Sequence, residues 1–220
     1  MSSPHIVIVG ADKGGVGKTT ISRLLVDYYK SHGITLRAFD TEHPVGVLKR
    51  FHPSLTEIVN LEESDDQMKV FDGLHEAQVT LIDIRAGLLS KTLEKLKLLG
   101  FFDGLRDGSL RISVVHVIGS NKASFDEIDV TRAAVQDAKH HVVLNHTNKS
   151  RFHGLPPTVN DPIVIGLLDE LAASTVDGLD MGFSAYVGDV AKQSRVLRGY
   201  VNTWEREGFK AFDAKALNAI

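Results

Sequence analysis

The chain has 220 residues, of which 43% are hydrophobic and 24% charged, and its formal net charge is −3. This composition is ordinary for a globular protein, and the length fits one α/β domain, residues 1–220, with a substantial core. The slightly acidic balance gives no overall basic signature for nucleic acid. The absence of cysteine excludes disulfides, thiol catalysis and cysteine-ligated iron–sulfur clusters.

The N-terminal residues, MSSPHIVIVG, have neither the basic region nor the long apolar run of a signal peptide. No apolar stretch approaches the roughly 20 residues that cross a bilayer. We therefore expect a cytoplasmic protein.

The most informative stretch is His5–Thr20, HIVIVGADKGGVGKTT. Its apolar run, Ile6–Val9, predicts a buried strand, and a glycine-rich loop with Gly14, Gly15 and Gly17 follows. A helical pattern then begins at Lys18 and stops at Gly33. A strand, a glycine-rich loop, a Lys-Thr pair and a helix are the parts of a phosphate-binding loop.

In such a loop the backbone N–H groups surround a phosphate, and the helix N-terminus adds positive potential. We expect Lys18 to reach the β- and γ-phosphates and the Thr19 hydroxyl to ligate Mg²⁺. The strict G-x-x-x-x-G-K-[ST] pattern fails only at Asp12, where it has glycine. The predicted nucleotide-binding residues of this stretch are Gly14, Gly15, Val16, Gly17, Lys18, Thr19 and Thr20.

The octapeptide KGGVGKTT at Lys13–Thr20 resembles the signature of ParA/MinD ATPases, the deviant Walker-A family. The resemblance implies ATP and Mg²⁺ as cofactors and an ATP-dependent homodimer. It also implies that Lys13 crosses the dimer interface and touches the phosphates bound by the partner.

The second predicted strand, Thr35–Phe39, ends in polar residues, which face the ligand crevice of a parallel sheet. The family pattern here is D-x-D-P, in which the first Asp lies near Mg²⁺ and the second orients the attacking water. Asp40 matches the first position. Glu42 stands at the second, where its longer side chain must be repositioned to act on water.

The segment that follows is less regular. Ser54–Leu61 and Asp66–Ala77 are predicted as short helices, with a solvent-exposed acidic run between them. The next apolar run predicts a buried strand that ends at Asp83, where a P-loop ATPase keeps the aspartate that holds Mg²⁺.

The family pattern after this strand is D-T-P-A-G. Asp83, Ala86 and Gly87 match it, whereas Ile84 and Arg85 replace Thr and Pro. The resemblance implies that the Gly87 N–H donates to the γ-phosphate and acts as a switch. Three partners remain open for Arg85: a phosphate, a partner chain, or an acidic neighbour such as Glu42.

Alternating helices and strands are predicted over the rest of the chain. The predicted elements are a helix at Leu88–Leu105 with a buried leucine stripe (89, 93, 96 and 99), a strand at Arg111–Ile118, a helix at Phe125–Ala138, a strand at His141–Leu144, a strand near Asp161–Ile165 and a helix at Val187–Gly208. The resemblance implies that Asn145, which follows the fifth predicted strand, hydrogen-bonds adenine; a turn asparagine is the plain alternative.

The last predicted helix carries a weak basic excess. ParA-like relatives bind DNA non-specifically through such surfaces, and a solvated helix face is the alternative. The basic residues concerned are Lys192, Arg195, Arg198, Arg206 and Lys210. Phe209, Phe212 and Leu217 form only a faint version of the amphipathic membrane helix of MinD-like proteins, so membrane binding is not expected.

These observations predict an α/β P-loop NTPase with a mostly parallel sheet between two layers of helices. The expected function is that of a ParA-like ATPase that positions DNA or a protein complex, as in plasmid partition, stability or transfer, with an unidentified activator or adaptor protein. A recruitment switch with little turnover is one alternative. An ATP-dependent ligase or kinase of the same superfamily is another, against which Lys13 argues.

Overall fold

A computed structural model of the protein describes residues 3–135 and 137–219, which are built around a seven-stranded sheet. The strands are β1 (His5–Gly10), β2 (Leu36–Asp40), β3 (Thr56–Ile58), β4 (Val79–Asp83), β5 (Arg111–Ile118), β6 (Lys139–Asn145) and β7 (Ile163–Ile165). Their spatial order is β3-β2-β4-β1-β5-β6-β7, and every neighbouring pair is parallel. The predicted α/β class is confirmed.

Helices connect the strands and cover both faces of the sheet. They are α1 (Lys18–Ser31), α2 (Val47–Phe51), α3 (Ser64–Phe71), α4 (Leu89–Leu98), α5 (Asp103–Arg106), α6 (Lys122–Ala134), α7 (Glu170–Gly178), α8 (Phe183–Gly188) and α9 (Arg195–Asp213), and a 3₁₀ turn lies at Leu74–Glu76.

Alternation along β1 places side chains in two cores. Val7 and Val9 pack into the core under α1 and α9, whereas Ile6 and Ile8 pack into the core under α3 and α4. All six residues of β1 are buried, as expected for a central strand covered on both faces.

The strand order reverses at β1, because β4 lies on one side of it and β5 on the other. Ligands of open parallel sheets bind beyond the carboxyl ends of the strands at such a point. The chain places the loop Gly10–Gly17 and the start of α1 there.

The helix predicted at Ser54–Leu61 is wrong, because this segment contains edge strand β3. Apolar residues at 55, 58 and 59 have helical spacing, which a short run does not distinguish from a strand. The decisive interaction is tertiary: β3 pairs with β2, and the Val59 N–H donates to the Asp40 carbonyl (3.0 Å).

The helix predicted at Leu88–Leu105 is two helices, α4 and α5. Gly100 separates them with a φ of +77°, which only glycine adopts readily. The expected buried stripe ends early, because Leu99 is 48% exposed whereas Leu89, Leu93 and Leu96 are buried.

The helix predicted at Val187–Gly208 is also wrong in its first half. Helix α8 ends at Gly188, and α9 begins at Arg195 after Ser194 accepts a cap hydrogen bond from the Leu197 N–H. Val190 therefore lies in the connection, where it is 68% exposed. Val201 and Trp204 are buried on α9, as predicted.

The C-terminal apolar residues pack into the core rather than facing solvent. Phe212 and Leu217 are buried, and the rings of Phe209 and Phe212 lie 5.5 and 5.3 Å from that of Tyr28. None of the helices in the described ranges has the length and apolarity of a membrane span.

Two carboxyl groups, from α1 and α9, meet at the start of α8. Glu205 accepts a hydrogen bond from the Ser184 hydroxyl (2.5 Å), and Asp27 accepts one from the Ser184 N–H (3.2 Å). Burial, assisted by Asp27, raises the pKa of Glu205 to about 7. Folding therefore favours the protonated form of Glu205.

Glu205→Gln is expected to increase the free energy of unfolding above neutral pH. At Glu205 the folded protein retains a proton that the unfolded chain loses between about pH 4.5 and 7, so the contribution of this residue to the stability of the wild type falls over that interval. The glutamine keeps an acceptor for Ser184 without the charge, and we expect a gain of about 2 kcal/mol at pH 8 that shrinks towards pH 4.5.

Urea denaturation of both proteins across this pH range measures the difference. Glu207→Gln on the exposed side of the same helix is the control and should show no such pH dependence, since Glu207 only pairs with Lys210 at the surface. A gain that is equal at pH 4.5 and pH 8 would contradict the prediction.

Candidate nucleotide-binding site

The glycine loop Gly10–Gly17 leaves β1 and turns into α1. Gly15 and Gly17 have φ values of +74° and +84°, so a side chain there would strain the backbone. At Gly17 a Cβ atom would also lie 2.2 Å from the Asn145 amide nitrogen. Both glycines are therefore required by the geometry of the loop.

Helix α1 begins at Lys18 without a side-chain cap at Gly17 and without an acidic residue in its first turn. The first N–H groups of a helix need partners from outside it, and they attract an anion. Around Gly14 and Gly15 there is open space. The loop and the helix start thus present donors to an accessible crevice.

Lys18, Thr19 and Asp83 lie together at the floor of this crevice. Burial lowers the pKa of Lys18, while the Asp83, Glu42 and Glu127 carboxylates oppose that change. Burial raises the pKa of Asp83 to about 7, to which Asp40 adds, while Ser22, Thr19 and Lys18 act in the opposite direction.

One oxygen of Asp83, Oδ1, is buried and has no hydrogen-bond partner among the described residues. A buried unpaired carboxylate oxygen is costly and calls for a cation or a donor. A carboxylate beside a threonine hydroxyl is the donor set that Mg²⁺ prefers, so these residues fit that ion.

Asp40, predicted near Mg²⁺, is buried and engaged with backbone. Its Oδ1 accepts from the Glu42 N–H (2.9 Å), and its Oδ2 accepts from the N–H groups of Leu48 (2.7 Å) and Lys49 (3.3 Å). Asp40 thereby satisfies donors at the start of α2. Its role towards a metal stays a prediction.

Three charged side chains lie at the solvent-facing rim: Lys13, Glu42 and Arg85 are all exposed. Neither Lys13 nor Arg85 forms an ion pair with another described residue, so the acidic neighbour considered for Arg85 is not found within this part of the chain. Both cations remain available to ligands from outside the chain.

Thr41, which the sequence analysis did not select, joins the ends of β2 and β4. Its hydroxyl donates to the Asp83 carbonyl (3.1 Å) and accepts from the Arg85 N–H (2.8 Å). Gly87 follows with a φ of +81°, and its N–H donates to the Ala11 carbonyl (3.2 Å). The predicted phosphate donor thus contacts the glycine loop.

Asp12 and Glu127 are two further residues of the site that sequence reasoning missed. The Asp12 carboxylate accepts from the Ser90 hydroxyl (2.5 Å) and N–H (3.3 Å) at the start of α4. The Asp12 N–H donates to Glu127 Oε2 on α6 (3.2 Å). In the sequence, only its mismatch to the loop pattern marks Asp12 as unusual, and nothing marks Glu127 as a residue of the site.

Asn145 ends β6 beside the loop, where its Nδ2 donates to the Val16 carbonyl (3.0 Å). The asparagine therefore braces the glycine loop, and its predicted contact with adenine stays a prediction. The basic residues of the C-terminal region differ in availability: Lys192, Arg195 and Arg206 are exposed, whereas Arg198 donates to the Val187 carbonyl and Lys210 pairs with Glu207.

Comparisons with known proteins support the same architecture. No family model matches the sequence. Protein MobD of Acidithiobacillus ferrooxidans is 26% identical over 155 residues, a match that spans 64% of this chain and 63% of MobD. The match therefore covers less than two thirds of that relative's length.

Solved structures of ParA/MinD type match nearly the whole chain at 13% identity. They include a putative plasmid partition protein of Borrelia burgdorferi B31 bound to AMPPNP (TM-score 0.57, 97% of this chain and 100% of that one). A ParA family ATPase of Chlorobium tepidum TLS has a TM-score of 0.56 (93% and 98%), and the MinD cell division protein of Aquifex aeolicus one of 0.54 (96% and 97%). These matches confirm the predicted resemblance at the level of the fold.

Proposed function

We propose that this protein is a ParA/MinD-like ATPase whose ATP-bound form is a homodimer. The observation that carries the proposal is the loop KGGVGKTT at the reversal point of a parallel sheet, with Lys18, Thr19 and a buried, partly unpaired Asp83 at its floor. This arrangement supports binding of a nucleoside triphosphate with Mg²⁺.

In the proposed complex the backbone of Gly14–Gly17 surrounds the phosphates, and Lys18 contacts the β- and γ-phosphates. Thr19 and Asp83, with Asp40 nearby, hold Mg²⁺, which neutralises charge on the phosphate oxygens. Asn145 adjoins the base. Apart from the loop glycines, these groups lie on β-strand ends or on the first turn of α1, so the sheet fixes their spacing.

The proposed reaction is transfer of the γ-phosphoryl group to water, which yields ADP and inorganic phosphate. Glu42 on the rim orients the attacking water, and Lys18 stabilises the charge that develops on the transferred group. Lys13 is exposed and does not pair with any described residue, which suits a side chain that reaches the phosphates of a partner subunit.

The proposed work is ATP-timed positioning of a cargo such as plasmid DNA or a transfer complex in the cytoplasm. The likeness of the fold to a plasmid partition protein and the partial match to MobD support this choice. An adaptor protein and the exposed cations Lys192, Arg195 and Arg206 are the proposed contacts with that cargo.

A second candidate is a recruitment switch that binds ATP with little turnover. The three backbone hydrogen bonds to Asp40 favour it, because they compete with a metal for the carboxylate. The longer side chain of Glu42 also favours this candidate, because it must be repositioned to act on water.

Phosphate release with and without Glu42→Gln separates the two functions. An ATPase is expected to lose about 100-fold in turnover with this variant while it keeps its affinity for AMPPNP, because the neutral glutamine has nearly the same size but is a weaker hydrogen-bond acceptor for the water that Glu42 orients. Turnover is measured from released phosphate at saturating ATP and Mg²⁺.

The matched control is Glu63→Gln, an exposed glutamate before α3, which should hydrolyse ATP like the wild type. Wild-type turnover that is already negligible, with AMPPNP still bound, would favour the recruitment switch. Equal turnover in wild type and Glu42→Gln would remove Glu42 from the mechanism.

A further inference from the structure

The segment Arg85–Ser90, which we call the switch segment, is fastened at both ends. At its start, the Arg85 N–H donates to the Thr41 hydroxyl (2.8 Å). At its end, the N–H and hydroxyl of Ser90 donate to the carboxylate of Asp12 (3.3 and 2.5 Å). The second fastening ties the switch segment directly to the glycine loop.

Between these two ends Leu89 is buried in the core, whereas Gly87 is held more weakly. Gly87 is exposed and contacts the glycine loop through a single N–H, which donates to the Ala11 carbonyl (3.2 Å). Redirecting that N–H from the Ala11 carbonyl to another acceptor exchanges one hydrogen bond for another, at small net cost. A phosphate oxygen is the stronger acceptor because it is charged.

Asp12 is itself fixed from the opposite side. Its N–H donates to Glu127 on α6. This hydrogen bond restrains Asp12 if α4, which carries Ser90, moves. The glycine found at this position in the strict loop pattern has no side chain with which to hold Ser90. The anchor therefore depends on the one residue by which this loop departs from the pattern.

We propose that Asp12 and Ser90 are positioning residues that make nucleotide binding sensitive to the γ-phosphate. With both ends fastened, Gly87 stays within reach of the phosphates and little conformational entropy is lost when its N–H turns to the γ-phosphate. This inference rests on the proposed function, since it assigns the sensing of ATP against ADP to that same site.

The test compares the affinities of the full-length protein for AMPPNP and ADP, both with Mg²⁺, by titration calorimetry. Ser90→Ala removes the hydroxyl that donates to Asp12 and is expected to weaken AMPPNP binding about tenfold while ADP binding changes less than about twofold. Ser90→Thr keeps the hydroxyl and should restore the preference for AMPPNP. Ser174→Ala, a distant exposed serine on α7, is the control.

Equal weakening of AMPPNP and ADP in Ser90→Ala would overturn the inference, since a merely structural contact affects both ligands. The inference would also be overturned if Ser90→Ala changed neither affinity, or if the wild type bound AMPPNP and ADP equally. None of these results would contradict the proposed nucleotide site. Failure of the wild type to bind either nucleotide overturns the proposed function as well. Asp12→Asn, which keeps the size but weakens the acceptor, replaces Ser90→Ala if that variant does not fold.

Discussion

Lys18→Ala is expected to abolish nucleotide binding at micromolar concentrations, with ATP and ADP each losing about 100-fold in affinity. The ammonium group is partly buried at the floor of the crevice, where a charge-assisted hydrogen bond to phosphate contributes about 2–3 kcal/mol. The variant also leaves the Asp83 carboxylate without its nearby cation, which opposes binding of a second anion. Titration calorimetry with ADP and AMPPNP measures the loss.

Lys30→Ala is the matched control, because it removes an exposed lysine from the last turn of the same helix. It should bind both nucleotides like the wild type. If Lys18→Ala binds ATP within a factor of two of the wild type, the phosphate site does not lie at the start of α1.

Lys13→Ala is expected to abolish the ATP-dependent dimer while retaining nucleotide in each monomer. Lys13 lies on the outer rim of the glycine loop and pairs with no described residue, so its loss leaves the phosphate contacts of its own subunit intact. Across a dimer interface it would instead neutralise charge on the partner's phosphates in a site shielded from water.

Light scattering without nucleotide, with ADP and with AMPPNP–Mg²⁺ gives the mass of each species. The wild type should double in mass only with AMPPNP, and Lys13→Ala should stay monomeric in all three conditions. Lys149→Ala, an exposed lysine in the loop after β6, is the control and should dimerise. A wild-type mass that is the same in all three conditions would contradict the dimer proposal.

The glycine loop and the alternating strands were predictable because their signals are local. A glycine loop between an apolar run and a Lys-Thr helix start has few other structural uses, and buried parallel strands form continuous apolar runs. The polar residues Asp40 and Asp83 could be placed at one edge of the sheet because the carboxyl ends of parallel strands meet there.

The predicted helices were wrong where contacts with residues distant in the sequence decide the structure. The segment around Thr56–Ile58 is a strand because it pairs with the edge of β2. The helix predicted over Val187–Gly208 is interrupted because α8, which packs against α1 and α9, ends at Gly188, and α9 begins only at Arg195. Helical spacing in such short segments carries no information on the partner that each will meet.

The sequence alone determined the glycine loop, the α/β class and the order along the chain of the strands that carry the candidate site, because each depends on residues adjacent in the chain. The tertiary structure decided how these residues are connected: that Asp40 is held by α2, that Asn145 braces Val16, and that Asp12 ties the glycine loop to Ser90 and Glu127. These contacts join residues up to 129 positions apart, and hydrogen bonds between such distant residues leave no periodicity or spacing in the sequence.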